Sequence, residues 1–116
     1  MSTEYHTARA AALRVFSLVI NQSRPLADAL DSDAGLAVLT VRDRNFARRL
    51  VAITLRRLNQ LDALIDYCLV RPLPQKVRAV RDLIRIGAGQ LLFAGTPPHA
   101  AIDTTVKLAA NNGYSS

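Results

Sequence analysis

Apolar residues recur every three to four positions along most of this chain, and no stretch alternates apolar with polar residues as a half-buried strand would. The pattern predicts six helices. The first runs roughly from Thr7 to Asn21, with Leu13, Phe16, Val19 and Ile20 inward and Arg14 and Ser17 outward. Arg24-Pro25 stops it, and Pro25 suits the first position of a short second helix, LADAL. Residues Asp31 to Gly35 read as a polar loop. Thr40 is the expected N-cap of a third helix, with Asp43 standing where a capping box usually has glutamate.

That third helix, VRDRNFARRLVAITLRRL from Val41 to Leu58, is the most informative segment. At about 100° per residue, Phe46, Leu50, Val51, Ile53, Leu55 and Leu58 gather on one side. Arg42, Asn45, Arg49 and Arg56 line the opposite side, with Arg48 beside them. Asp43 is the one acid of the stretch and lies in the first turn, where the helix dipole favours it. A fourth helix, Gln60 to Val70, turns Leu61, Leu64, Ile65 and Leu69 inward and ends at Arg71-Pro72-Leu73-Pro74. A fifth, Gln75 to Phe93, sets Val80, Leu83, Ile84, Gly87 and Leu91 against Arg78, Arg81 and Arg85. Gly87 in the apolar stripe costs about 1 kcal/mol of helix propensity, which points to close approach of a neighbouring backbone. Gly95 closes this helix, and Pro97-Pro98 opens a sixth with Ile102, Thr105, Val106 and Ala109 inward. The expected fold is all-α, with residues 1–6 disordered, a helical domain over 7–110 and a tail over 111–116.

Composition changes this picture in one respect. The chain has 116 residues and a net charge of +6, and the excess is confined to its middle. Residues 42–85 carry eleven arginines and lysines against four aspartates, while the flanks are close to neutral. Guanidinium groups match phosphate oxygens, and few acids stand beside them, so the expected partner is RNA. Arg42, Arg48, Arg49, Arg56, Arg78, Arg81, Arg85, Arg9 and Arg14 are the candidate contacts. An ordinary solvated face is the alternative reading of the same residues. Arg44 and Arg57 fall at the edges of the apolar face, where they are expected to pair with Asp62 or Asp66. Gln90 is expected to make a helix-packing hydrogen bond.

Other chemistry is sparse. Cys68 is the single cysteine, in an apolar run, and reads as an inert thiol. His6 and His99 lack partners in any catalytic pattern. Asp28, Asp31 and Asp33 have the spacing of a solvated turn rather than of a metal site. No glycine-rich phosphate loop and no nucleophile–base pair can be assembled, so neither cofactor nor metal is expected. The N-terminus has no apolar signal core, and no apolar run approaches the ~20 residues of a membrane span, which makes the cytoplasm the expected compartment.

Together, DRNFARRLVAITLRRLNQLDALI, RPLP, VRDLIRIGAGQLLF and PPHAAIDTTVKLA resemble the NusB-like domain, over about Ala8 to Gly113. They are most similar to the version at the N-terminus of ribosomal RNA cytosine-5 methyltransferases of the RsmB (Sun, Fmu) type. The resemblance implies an all-helical fold of about seven helices and an RNA-binding role, here as an accessory domain that helps position ribosomal RNA for a methyltransferase domain in cis. It leaves a stand-alone antitermination factor, binding RNA and a ribosomal protein, as an alternative. An apolar protein–protein adaptor without RNA is the alternative from another class. The family's last helix and the methyltransferase's catalytic domain, with its S-adenosylmethionine site, have no counterpart here, so the chain itself is not expected to be an enzyme. Loss of that helix should leave an apolar groove near Leu91, Ile102 and Val106, to be covered by a homodimer or a helix swap hinged at residues 95–98.

Overall fold

The computed structural model describes residues 7–68, 78–100, 104, 105 and 107. The ends assigned to disorder and to a tail, the Arg71–Pro74 break, and Ile102, Val106 and Ala109 lie outside them, as do the surroundings of the Cys68 thiol and the Arg78 side chain. All secondary structure among the described residues is helical: α1 (Ala8–Gln22), α2 (Leu26–Ser32), α3 (Ala34–Ala37), α4 (Val41–Arg56), α5 (Leu58–Cys68) and α6 (Arg78–Leu92). Helical residues resume at 98–100, where His99 is exposed in the first turn. No described helix is long and apolar enough to cross a membrane.

Local chemistry sets the boundaries. The Thr7 hydroxyl accepts from the Ala10 N–H and starts α1, and Thr40 does the same for Asp43 and α4. Ser23 ends α1 in the left-handed region at φ 54°, and Gly95 follows α6 at φ 72°. The 41–58 helix ends two residues early, because the backbone turns at Arg57 between α4 and α5.

The polar loop expected over 31–35 is instead the end of α2 and the start of α3. Asp33 makes the difference. Its carboxylate accepts from the Leu36 N–H at 2.8 Å and from Arg14 Nε and Nη2 at 2.9 and 3.0 Å. Burial pushes this carboxyl up, but the Arg14 guanidinium and the Leu36 N–H outweigh it and hold its pKa below the ordinary value. A group held low contributes stability at neutral pH that disappears as pH falls through its folded pKa. Arg14→Gln should therefore cost about 1 kcal/mol at pH 7. The difference from wild type should persist down to the ordinary carboxylate range and vanish only as pH falls below it, through the lowered folded pKa, as thermal melts over a pH series would show.

Packing centres on α1, which lies against α4 and α6 and is flanked by α2 and α3. Its buried residues are Ala8, Ala10, Ala11, Ala12, Val15 and Phe16, against Ala47, Leu50 and Val51 of α4 and Ile86 of α6. Leu13, Val19 and Ile20, expected innermost together with Phe16, are only half-buried. The small alanines let the helices approach closely, and close approach rather than side-chain bulk decides which face turns in.

The buried face of α6 is also rotated from expectation. Asp82, Leu83, Ile86, Gly89 and Gln90 are buried, whereas Leu91 is 42% exposed. Two of these are polar because α1 supplies their partners. Asp82 accepts from Ser17 Oγ at 2.9 Å and Asn21 Nδ2 at 2.8 Å, and Gln90 Oε1 accepts from Arg9 Nε at 2.8 Å. Close contact at Gly87 is made by the Thr105 side chain, 2.8 Å from where a Cβ would stand. The approach of α6 to α4 occurs at Gly89, where a Cβ would stand 2.7 Å from Thr54 Oγ1.

Candidate nucleic-acid interface

The nine candidate arginines separate into groups once the helices pack. α5 and α6 run antiparallel, which sets Asp62 opposite Arg85 and Asp66 opposite Arg81. Arg85 donates to both Asp62 oxygens at 2.7 and 2.8 Å and to Asp82 Oδ1 at 2.9 Å. Burial lowers its pKa, but the two carboxylates outweigh that and hold the guanidinium above its ordinary value. Arg81 Nη2 lies 2.7 Å from Asp66 Oδ1 and 3.5 Å from Asp62 Oδ1. Arg14 is paired with Asp33. Three of the nine thus stand in ion pairs. The partners expected for Asp62 and Asp66 were Arg44 and Arg57, which the register places elsewhere. Arg44 Nη2 donates to the Leu39 carbonyl, and Arg57 Nη1 donates to Gln60 Oε1.

A second group forms one edge. Arg42, Arg49 and Arg56 recur every seven residues along α4, two turns apart, so about 10 Å separates successive side chains on one stripe. All three are exposed. Among the described residues, no hydrogen bond or ion pair engages Arg42 or Arg56. Arg49 Nη2 makes a long 3.4 Å contact with the Ala94 carbonyl at the C-terminal end of α6, where the helix dipole favours a cation. Arg48 departs from expectation: it lies on the other flank of α4, along a cleft with Leu30, Asp31, Leu36 and Arg44.

Phe46 separates the stripe from the core and is covered by arginines. Arg9 lies 4.7 Å from the ring centroid and Arg49 lies 5.5 Å from it. Arg9 comes from α1, half-buried and tied to Gln90, and desolvation lowers its pKa while Asp43 opposes that change. Arg57 lies 5.1 Å from the centroid of Phe93, next to the carbonyl that Arg49 touches. Sequence periodicity counted Phe46 simply as core, gave Phe93 no role and expected Arg57 to pair with an aspartate. The one local signal was Arg49, three residues after Phe46 on the same helix, too common a spacing to single the pair out. Among the described residues, no three histidine, cysteine, aspartate or glutamate side chains converge as a metal centre requires.

The chain is 34% identical over 99 residues to ribosomal RNA small subunit methyltransferase B of Escherichia coli O1:K1 / APEC, an alignment covering 85% of this chain and 23% of that protein. With the protein of the same description from Salmonella typhi it shares 34% identity over 103 residues, 89% of this chain and 24% of the relative. A shorter alignment, 66 residues at 42% identity, relates it to the Escherichia coli O139:H28 (strain E24377A / ETEC) protein, covering 57% of this chain and 15% of that one. The chain thus spans about a quarter or less of the length of these curated relatives. The model of the NusB family matches residues 6–116. An all-α bundle, the ordered motifs from α4 through α6, and a family match over nearly its whole length place this chain in the NusB family.

Proposed function

We propose that this chain is an RNA-binding module that holds ribosomal RNA by its phosphates, in the cytoplasm, as the accessory part of a methyltransferase. The observation that carries the reading is the exposed stripe Arg42–Arg49–Arg56, which no carboxylate among the described residues neutralises. Three other candidates, Arg14, Arg81 and Arg85, are neutralised by neighbouring carboxylates, so the positive potential at the surface is concentrated on α4. The names of the relatives, ribosomal RNA methyltransferases, support RNA as the polyanion. No residue of this chain is assigned a step in methyl transfer.

Filter binding of ribosomal RNA over a salt series tests the reading. Replacing Arg42, Arg49 and Arg56 together by Gln should weaken binding about tenfold or more. The magnitude of the salt slope should fall by roughly 2, as expected for three lost contacts to single-stranded phosphates. Arg81→Gln, which breaks an ion pair rather than the stripe, should cost far less affinity. Unchanged binding in the triple variant would remove the stripe from the interface, and binding indifferent to salt would favour an apolar adaptor instead.

A further inference from the structure

We infer that the two arginine-covered phenylalanines, Phe46 with Arg9 and Arg49, and Phe93 with Arg57, are seats for unpaired nucleobases, which stack on the outer guanidinium planes. The inference rests on the RNA-binding reading and adds to it a class of RNA and a mode of contact.

The chain has three phenylalanines. Phe16 is fully buried in the core, and each of the other two is half-buried with a guanidinium over its ring at 4.7–5.5 Å. Each of these arginines is also held by a single hydrogen bond: Arg9 to Gln90, Arg49 to the Ala94 carbonyl and Arg57 to Gln60. A guanidinium fixed against a ring has lost much of its rotamer freedom before any ligand arrives, so less is lost when a base settles on it. Arg49 and Arg57 are exposed, so the side of each group away from the ring is open to a ligand.

The two seats belong to one surface. Phe46 and Arg57, the residue that caps α4, are eleven residues apart, three helical turns, which sets them about 16 Å apart on nearly the same side of that helix. Arg49 bridges them through its contact with Ala94, the neighbour of Phe93. The exposed stripe of Arg42, Arg49 and Arg56 runs alongside on the same flank. Phosphate contacts and flat cationic surfaces therefore occur side by side, the combination with which a protein holds single strands. A duplex cannot use such seats, because its bases already stack on one another and only their edges are free.

Lysine separates stacking from charge, since it keeps the cation and loses the plane. The test compares the affinity of the full chain for a short unpaired RNA and for the same sequence annealed to its complement, in wild type and in Arg49→Lys/Arg57→Lys. The unpaired RNA should bind the double variant at least about fivefold more weakly, with duplex affinity and salt slope unchanged. Phe46→Leu/Phe93→Leu, checked for an intact melt, should act in the same direction, because leucine fills the space but offers no ring to the arginine. Arg42→Gln/Arg56→Gln should instead weaken both RNA forms alike. Wild type that binds both forms equally, or lysine variants that lose both forms equally or neither, overturns the inference and leaves the phosphate reading standing. Absence of binding to either RNA overturns both.

Discussion

Asp82→Ala is expected to destabilise the domain by about 3 kcal/mol, lowering its melting temperature by on the order of 10 °C. Asp82 is fully buried, and its two oxygens serve separate partners: Ser17 and Asn21 of α1 on one, Arg85 on the other. Alanine removes an acceptor from three donors at once, and the largely buried Arg85 guanidinium and half-buried Ser17 hydroxyl lose more by it than the exposed Asn21 amide, which water can reach. Asp82→Asn should fall between the two. The Ser17 hydroxyl and the Asn21 amide can each turn to accept from a new N–H, whereas Arg85 can only donate. Arg85 would retain Asp62, so the loss at that end is partial. A calorimetric melt of Asp82→Ala within about 3 °C of wild type would show that this network does not join α1 to α6.

Gly89→Ala is expected to destabilise the wild-type chain and to stabilise a chain that already carries Thr54→Ala. A Cβ at position 89 meets Thr54 Oγ1 at 2.7 Å, a clash that Thr54 cannot easily relieve. That residue is fully buried, and its hydroxyl donates to the Leu50 carbonyl at 2.7 Å, which fixes its rotamer. Overpacking of this kind costs about 1–3 kcal/mol, against which alanine returns about 1 kcal/mol of helix propensity. With the Thr54 hydroxyl gone, the remaining contacts, the Cβ at position 54 at 3.7 Å and Leu50 Cδ1 at 3.8 Å, are ordinary ones, and only the propensity gain remains. Chemical denaturation of the four chains of this double-mutant cycle reads the coupling directly. Additive effects would mean that α4 and α6 do not meet at this pair.

What the sequence made legible follows from what periodicity can report. The all-α class, the Thr40 cap and the Arg42–Arg49–Arg56 stripe were readable because each depends on residues within one or two turns. The identity of the neutralised arginines was not, because Asp62 and Asp66 reach Arg85 and Arg81 across an antiparallel pair, 23 and 15 residues away in sequence. The buried face of α6 was misplaced for the same reason. A hydrophobic pattern counts Asp82 as solvent-facing, and nothing local reveals that Ser17 and Asn21 wait to bond it. The packing hydrogen bond expected of Gln90 is made, with Arg9 as a partner that no local signal named. The arginine-covered phenylalanines were hidden by a related limit. A ring at the edge of an apolar face looks like core until the helix that supplies its cover is in place.

The bonds between α1 and α6 also bear on the order in which the molecule can come together. Ser17 and Asn21 find their carboxylate 65 and 61 residues later in the chain, and Arg9 finds Gln90 after 81. During synthesis α1 emerges before α4 and α6, yet it is among the last to complete its contacts. Until α6 has been made, its alanine face can be only partly covered by α4, and its polar partners stay in water. Pairings so distant carry a loop-closure cost that local helix formation does not, and they come late for that reason. Docking of α6 onto α1 is then the step that closes the domain. The arginine ridge proposed to meet RNA, assembled from α1, α4 and the end of α6, comes into being at the moment of that docking and not before.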